Sequence, residues 1–278
     1  MPLIRPFRAL RPAPGRAAEV LAPPYDVLSS AEARQRANGK PWSFLHISKP
    51  EIDLDAGIDP TDRAVYAKAA DNLQRMVKAG VLMRDATPFY YVYRLNWRDR
   101  VQTGLAAVAA IAEYRINRVR KHELTTPVKE DDRVRQIEAV NAQTGPVMVA
   151  YPAAPAIDAM LAGAALNAPD VDVTADDGVR HQMWVVADEP TIAALTHAFD
   201  TLPAVYIADG HHRSAAAARV AEMRGGDTGS HGYFLSVLFP HHQMTILDYN
   251  RVIRDLNGRE HALLIDELRK NFVVSSSE

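Results

Sequence analysis

Two segments with the alternation of β-hairpins sit inside a chain that otherwise alternates strand-like and helix-like stretches, and this constrains the fold more than any other feature. "FYYVYRLNW" and "RVQTGLAAVAAIAEY" are apolar, β-prone runs joined by a charged turn. "DVDVTADDGVRHQMWVVAD" repeats the pattern around Asp177-Gly178, a dipeptide suited to a tight hairpin turn. Hairpins make antiparallel pairs, whereas strand–helix alternation makes parallel ones. The combination predicts an α+β (mixed α/β) fold, a mixed sheet with packed helices, rather than a uniform doubly wound sheet.

The remaining segments fill in that frame. "AEVLAPPYDVLSSAEARQRANGK" reads as a short strand, a Pro-Pro turn and a helix. Ser29 and Glu32 have capping-box spacing, and Asn38-Gly39 is the stop. "PWSFLHISKP" reads as a strand. Residues 59–85 read as a long amphipathic helix, with Val65, Ala69, Leu73, Met76 and Val77 on one face and Gly80 at its end. Thr126 and Pro127 suit an N-cap and first helical position, and Gly145-Pro146 is the expected end of that helix. "PVMVAYP" reads as a strand, "APAIDAMLAGAAL" and "EPTIAALTHAFDTL" as helices, and "AVYIADG" as a buried strand. "YFLSVLFP" and "MTILDYNRVIRDL" follow. "HALLIDELRKNFVVSSSE" reads as a helix and the start of a strand. There is no internal repeat and no clear linker. Residues 1–278 are therefore expected to form one large domain, with an N-terminal portion over 1–85 and a core over 86–278.

Composition excludes several kinds of chemistry. The chain contains no cysteine, so disulfides, thiolate metal sites and cysteine nucleophiles are out. A net charge of −2 gives no electrostatic reason to expect nucleic acid as a partner. "MPLIRPFRALRPAPGR" is broken by proline and lacks the apolar core of a signal peptide. The apolar run "GLAAVAAIA" is too short to span a bilayer. No membrane association and a cytoplasmic location are the expectation.

The stretch "AVYIADGHHRSAAAARVAEMRG" carries the strongest chemical signal. An apolar strand runs into Asp209-Gly210, and an alanine-rich helix begins with His211, His212 and Arg213. A helix start carries partial positive charge and unpaired N–H groups, so three basic side chains there are locally unfavourable unless an anion joins them. Gly210 lets a backbone approach a ligand closely, and Arg213 offers a bidentate fork. Asp209 would repel a phosphate unless a divalent cation bridges the two or the carboxylate acts as a base. The alternative is a plain helix cap with surface histidines. In "RKHELT", His122 and Glu123 could orient a nucleophile or supply a base, or else belong to a solvated loop. This is not the H-E-x-x-H zinc motif, because the second histidine is missing. Lys129 and Arg133 in "KEDDR" lie four apart on one helix face, suited to local ion pairs or to phosphate. Tyr25 and Asp26 occupy the rigid turn "APPYDVLS", a setting for binding residues or for a buried tyrosine and a turn aspartate. "PHHQM" reads as a solvent-facing loop pair.

"LAPPYDVLS", "KHELT" followed by "KEDDR", and "YIADGHHRSAAA", in this order, resemble the bacterial family catalogued as domain of unknown function 1015, over nearly the whole chain. The "DGHHR" segment also resembles the phosphate box of ParB-type nucleases and CTPases, sulfiredoxin and ADP-dependent free-serine kinases. The resemblance implies a ParB/sulfiredoxin-like nucleotide-binding core. It implies a phosphate loop of Gly210, His211, His212 and Arg213 with Lys129 and Arg133. His122, Glu123 and Asp209 would be catalytic, with Asp209 also on the metal, and Tyr25 and Asp26 would contact substrate. ADP or ATP and Mg²⁺ are the implied cofactors. Without a cysteine in the box, sulfiredoxin chemistry is excluded. The family's length further implies a C-terminal region beyond residue 278. Two functions follow as expectations. One is a nucleotide-dependent phosphotransferase, a kinase of a small serine-like molecule. The other is a non-catalytic ParB-like regulator that binds nucleotide or nucleic acid. A homodimer is compatible with either.

Overall fold

Both expected hairpins are present, and they build one side of a mixed sheet. The structure, a computed structural model, describes residues 1–247 and 253–275. Its strands are β1 (Ile4–Arg5), β2 (Leu10–Pro12), β3 (Leu82–Arg84), β4 (Tyr90–Trp97), β5 (Arg100–Ala110), β6 (Val119–Arg120), β7 (Val147–Tyr151), β8 (Val171–Thr174), β9 (Arg180–Val186), β10 (Val205–Asp209) and β11 (Tyr233–Pro240). Its α-helices are α1 (Ala17–Val20), α2 (Ser30–Ala37), α3 (Leu45–Ser48), α4 (Arg63–Lys78), α5 (Ile111–Arg115), α6 (Pro127–Val140), α7 (Pro155–Ala164), α8 (Glu189–Asp200), α9 (His211–Met223) and α10 (His261–Arg269). Residues 1–244 form one compact unit, and residues 245–278, which include α10, form another.

Among the described residues, nine strands make one sheet in the order β6–β10–β7–β11–β5–β4–β9–β8, with β1 paired to β5. The hairpins β4–β5 and β8–β9 are antiparallel. β6–β10 and β7–β11 are parallel. The fold is therefore mixed α+β. Strand alternation turns Val147, Val149 and Tyr151 of β7 and Val205 and Ile207 of β10 inward, all nearly fully buried. They share one core with Leu195 and Phe199 of α8 and Ala217 and Ala221 of α9. Each large apolar side chain so buried contributes roughly 1.5–3 kcal/mol. The alanines of α9 keep that helix close to the sheet. Its Ala216 and Val220 pack with Val134 of α6 in a second, smaller cluster. No described helix is long and apolar enough to cross a membrane.

Local signals were accurate where a cap fixed them. Ser29 and Glu32 form a complete capping box at the start of α2. Several expectations are corrected. "PWSFLHISKP" is not a strand but α3 and a 3₁₀ turn, Pro50–Asp53. It docks on α4, where Asn72 donates to the His46 carbonyl at 2.7 Å, and this contact overrides strand propensity. The strand expected at "AEVL" is the single helical turn α1. On α4, Val77 is 44 % exposed and so falls outside the buried stripe of Val65, Ala69 and Met76. α6 ends before Gly145, because Asn141 takes a left-handed φ of +48° and closes the helix. The strand expected through "AAIAEY" stops at Ala110 and turns into α5. No strand follows α10 among the described residues. Of "MTILDYNRVIRDL", residues 248–252 lie outside the described residues.

One cross-strand pair makes stability depend on pH. Tyr93 of β4 and the Nδ1 of His181 on β9 are 2.6 Å apart. Burial pushes the Tyr93 phenol up to about 12, so it keeps its proton and donates. Burial lowers the His181 pKa, with Asp177 opposing. A histidine held below its unfolded value, about 6.5, stabilises the fold fully above that pH and loses its contribution as pH falls below it. The denaturation midpoint is expected to drop between about pH 7.5 and about pH 5.5, and to drop less in His181→Asn. Equal slopes in the two proteins would contradict this.

Candidate functional site

Topology brings three distant segments to one end of β10. β10 ends at Asp209 with a register shift against β7. β6 runs parallel to β10, so the loop that leaves β6, residues 121–126, emerges beside the start of α9. β7 runs antiparallel to β10, so Gly145-Pro146, which enter β7, reach the same end. Gly210 joins β10 to α9 with φ +98°. A side chain there would be strained, and its Cβ would lie 3.1 Å from Arg213 Nε and 3.3 Å from the Val147 Cα.

The start of α9 is uncapped. Its first helical hydrogen bond runs from Ser214 N–H to the Gly210 carbonyl at 3.0 Å, and no side chain caps it. The N–H groups of His211, His212 and Arg213 have no acceptor among the described residues. Free N–H groups and the helix dipole together favour an anion at this point.

The two histidines face the 121–126 loop. The Nε2 of buried His211 accepts from His122 N–H at 3.3 Å, and the Nε2 of His212 accepts from Thr126 N–H at 3.2 Å. Neutral His211 then carries its proton on Nδ1, which lies 3.2 Å from Glu123 Oε2. Burial lowers the His211 pKa and His122 adds to this, while Glu123 and Asp209 oppose it. The His122 ring stands edge-on to His211, with centroids 4.4 Å apart. One ligand atom each from His122, Glu123 and His211 lies within 4.8 Å of the others, a group able to hold a metal ion. Both histidines of "GHHR" thus use Nε2 to hold the loop against the helix.

Arg213 folds back across the two glycines. It pairs with Asp209 and donates to the Pro146 carbonyl. A Cβ on Gly145 would lie 3.3 Å from its Cδ, so Gly145 makes room for this side chain. Arg133 of α6 lies over the Tyr25 ring at 4.4 Å and pairs with Asp132, which accepts from the Tyr66 hydroxyl at 2.7 Å. Burial works against the Arg133 charge, but Tyr25 and Asp132 outweigh it and its pKa is raised. Burial raises the Tyr25 pKa against the pull of Arg133 and Arg213. Tyr25, Arg133, Gln136, Gln143, Thr144 and Arg213 line a cleft of about 30 Å³. That is room for one or two water molecules.

The site residues named from the sequence therefore divide. His122, Glu123, His211 and His212 form one cluster. Tyr25, Arg133 and Arg213 form an adjoining cleft, with Asp209 and Gly210 beside Arg213. Lys129 is exposed and makes no ion pair among the described residues. Asp26 is exposed on the Tyr25–Val27 turn and does not line the cleft. Gln143, Thr144 and Gly145 were missed. Gly145-Pro146 directly before an apolar strand is the available signal, and the same dipeptide also reads as a helix stop. At "PHHQM", His241 accepts from Ala153 N–H at 3.1 Å, and both histidines are exposed.

No curated protein and no solved structure matches the chain. A family model described as "Protein of unknown function (DUF1015)" matches residues 4–278, and by that match the chain belongs to the DUF1015 family.

Proposed function

We propose that the protein is a nucleotide-dependent phosphotransferase that uses ADP or ATP with Mg²⁺ and acts on a small, serine-like hydroxylated molecule. The observation that carries this reading is the start of α9. Three backbone N–H groups lack acceptors there among the described residues, beside an arginine and among polar side chains delivered by separate segments. Phosphoryl transfer asks a protein for positioning, charge neutralisation and a base, rather than covalent chemistry. The N–H groups of His211, His212 and Arg213 receive phosphate oxygens. An arriving phosphate competes with Asp209 for the Arg213 fork and frees that carboxylate to take the acceptor's proton or to meet Mg²⁺. Glu123 is the second carboxylate, and His122 flanks it. The cleft of Tyr25, Arg133 and Arg213 is too small for a nucleotide base but suits a small carboxylate on the acceptor. Lys129 and Asp26 stand near these elements as outer contacts. A strand–loop–helix phosphate box of the ParB/sulfiredoxin type is part of the same proposal.

A second reading is a nucleotide-binding regulator without catalysis. It is favoured by the cleft lining, which holds two arginines and no carboxylate. Calorimetry with ADP and ATP tests what both share. Arg213→Ala is expected to weaken binding by about 1.5–3 kcal/mol through loss of a charge-assisted hydrogen bond. Equal affinity in the variant would contradict a phosphate at this helix start. Binding by the wild type without transfer to any hydroxylated metabolite would favour the regulator.

A further inference from the structure

We propose that His122, Glu123 and His211 form a binding site for a divalent transition-metal ion, with Zn²⁺ as its type. Glu123 Oε2 and His211 Nδ1 are 3.2 Å apart. Two ligands about 2.1 Å from one ion sit about 3.0–3.4 Å from each other, so this pair already has the spacing of two ligands on one ion. The His122 ring lies edge-on to His211 at 4.4 Å, and its ring nitrogens make no hydrogen bond among the described residues. All three ligand atoms fall within 4.8 Å of one another. His211 is the fixed member, buried at the first position of α9. Glu123 and His122 are exposed on the adjoining loop and need only side-chain rotation to close on the ion.

The donor set decides the metal. Two imidazoles and one carboxylate suit a borderline ion such as Zn²⁺, whereas Mg²⁺ prefers oxygen ligands and retains its waters. Asp209 is engaged by Arg213 and lies outside the group. The proton accounting is simple. Without metal, Nδ1 of His211 carries the hydrogen and Nε2 accepts from His122 N–H. With metal on Nδ1, the hydrogen sits on Nε2 and the long 3.3 Å contact from His122 N–H is given up. Three protein ligands leave coordination positions open, next to the free N–H groups of α9. Any position that the three ligands left open would be available to water or an anion. Binding of the ion itself does not depend on the phosphotransferase reading and is measured without nucleotide.

The test is calorimetry of the metal-stripped full chain with ZnCl₂. The wild type is expected to bind Zn²⁺ at this site, and His122→Ala and Glu123→Gln to weaken that binding by at least about 10–100-fold. Both positions are exposed, and circular dichroism verifies that the variants stay folded. His242→Ala, at a histidine 3.8 Å from Asp158, is the control and should leave this binding unchanged. Excess MgCl₂ should not compete. Cobalt substitution should give visible absorption bands of a nitrogen–oxygen site, lost in His122→Ala. Failure of the wild type to bind Zn²⁺, or unchanged binding in both variants, would overturn the proposal.

Discussion

Asp209→Asn is expected to abolish most phosphoryl transfer while sparing the fold and much of the nucleotide affinity. A positioned acid–base group is worth roughly a hundred- to ten-thousand-fold in rate, or about 3–5 kcal/mol in the barrier. The amide keeps the shape of the carboxylate and removes its charge. The Asp209 side chain is 64 % exposed, so packing does not contribute to the loss. One amide oxygen still accepts from Arg213, which keeps the arginine near its place. Glu123→Gln is the companion variant, and it perturbs the contact with His211 as well as the charge. Steady-state transfer assays, paired with circular dichroism, separate lost chemistry from lost fold. Full transfer in both variants would show that neither carboxylate has the proposed role.

Asp85→Ala is expected to destabilise the chain by about 3–5 kcal/mol, the cost of leaving one partner of a buried ion pair alone. Asp85 is 5 % exposed. It receives the Arg11 fork at 2.8 and 2.9 Å and the Tyr91 hydroxyl at 2.6 Å. Burial alone would raise its pKa. The Arg11 fork and the Tyr91 hydroxyl more than reverse this and hold the carboxyl below the ordinary range. A depressed carboxylate contributes stability above its unfolded pKa, near 4, and loses it as pH falls further. Alanine would leave the Arg11 guanidinium without its carboxylate, while the Tyr91 hydroxyl keeps the Phe7 carbonyl and the Ala9 N–H, each at 3.2 Å, so Arg11→Met in the same background should recover part of the loss. Denaturant titration of the single and double variants measures this. A single-variant loss of under about 1 kcal/mol would mean that solvent reaches Arg11 freely.

Elements with local punctuation were legible in the sequence. The capping box at Ser29, Asp177-Gly178 between β8 and β9, and Pro127 in the first turn of α6 each satisfy backbone requirements that a few neighbouring residues settle among themselves, although Thr126, at the N-cap position, makes no side-chain cap bond. "PWSFLHISKP" was not legible, because a short apolar run fits a strand or a helix and the contact with Asn72 decides. The site was legible as residue types but not as an arrangement. The meeting of "KHELT" with "DGHHR" depends on the parallel pairing of β6 with β10, which no local pattern encodes. The same holds for the roles of the histidines. Their sequence position suggests donors to a phosphate. The fold instead delivers the N–H groups of His122 and Thr126 to their Nε2 atoms, so they accept. Lys129 and Arg133 look equivalent by spacing, yet only Arg133 meets Tyr25.

The central claim is that phosphate binds the uncapped start of α9, and amide proton–nitrogen correlation NMR during titration with ADP measures this directly. Backbone N–H groups that gain a phosphate acceptor shift downfield. The largest such shifts are expected at His211, His212 and Arg213, with smaller ones at Gly210 and along residues 121–126. Saturable binding that leaves those three amides unmoved, with shifts instead around the basic surface of Arg34, Lys40, Lys68 and Arg75, would contradict the claim.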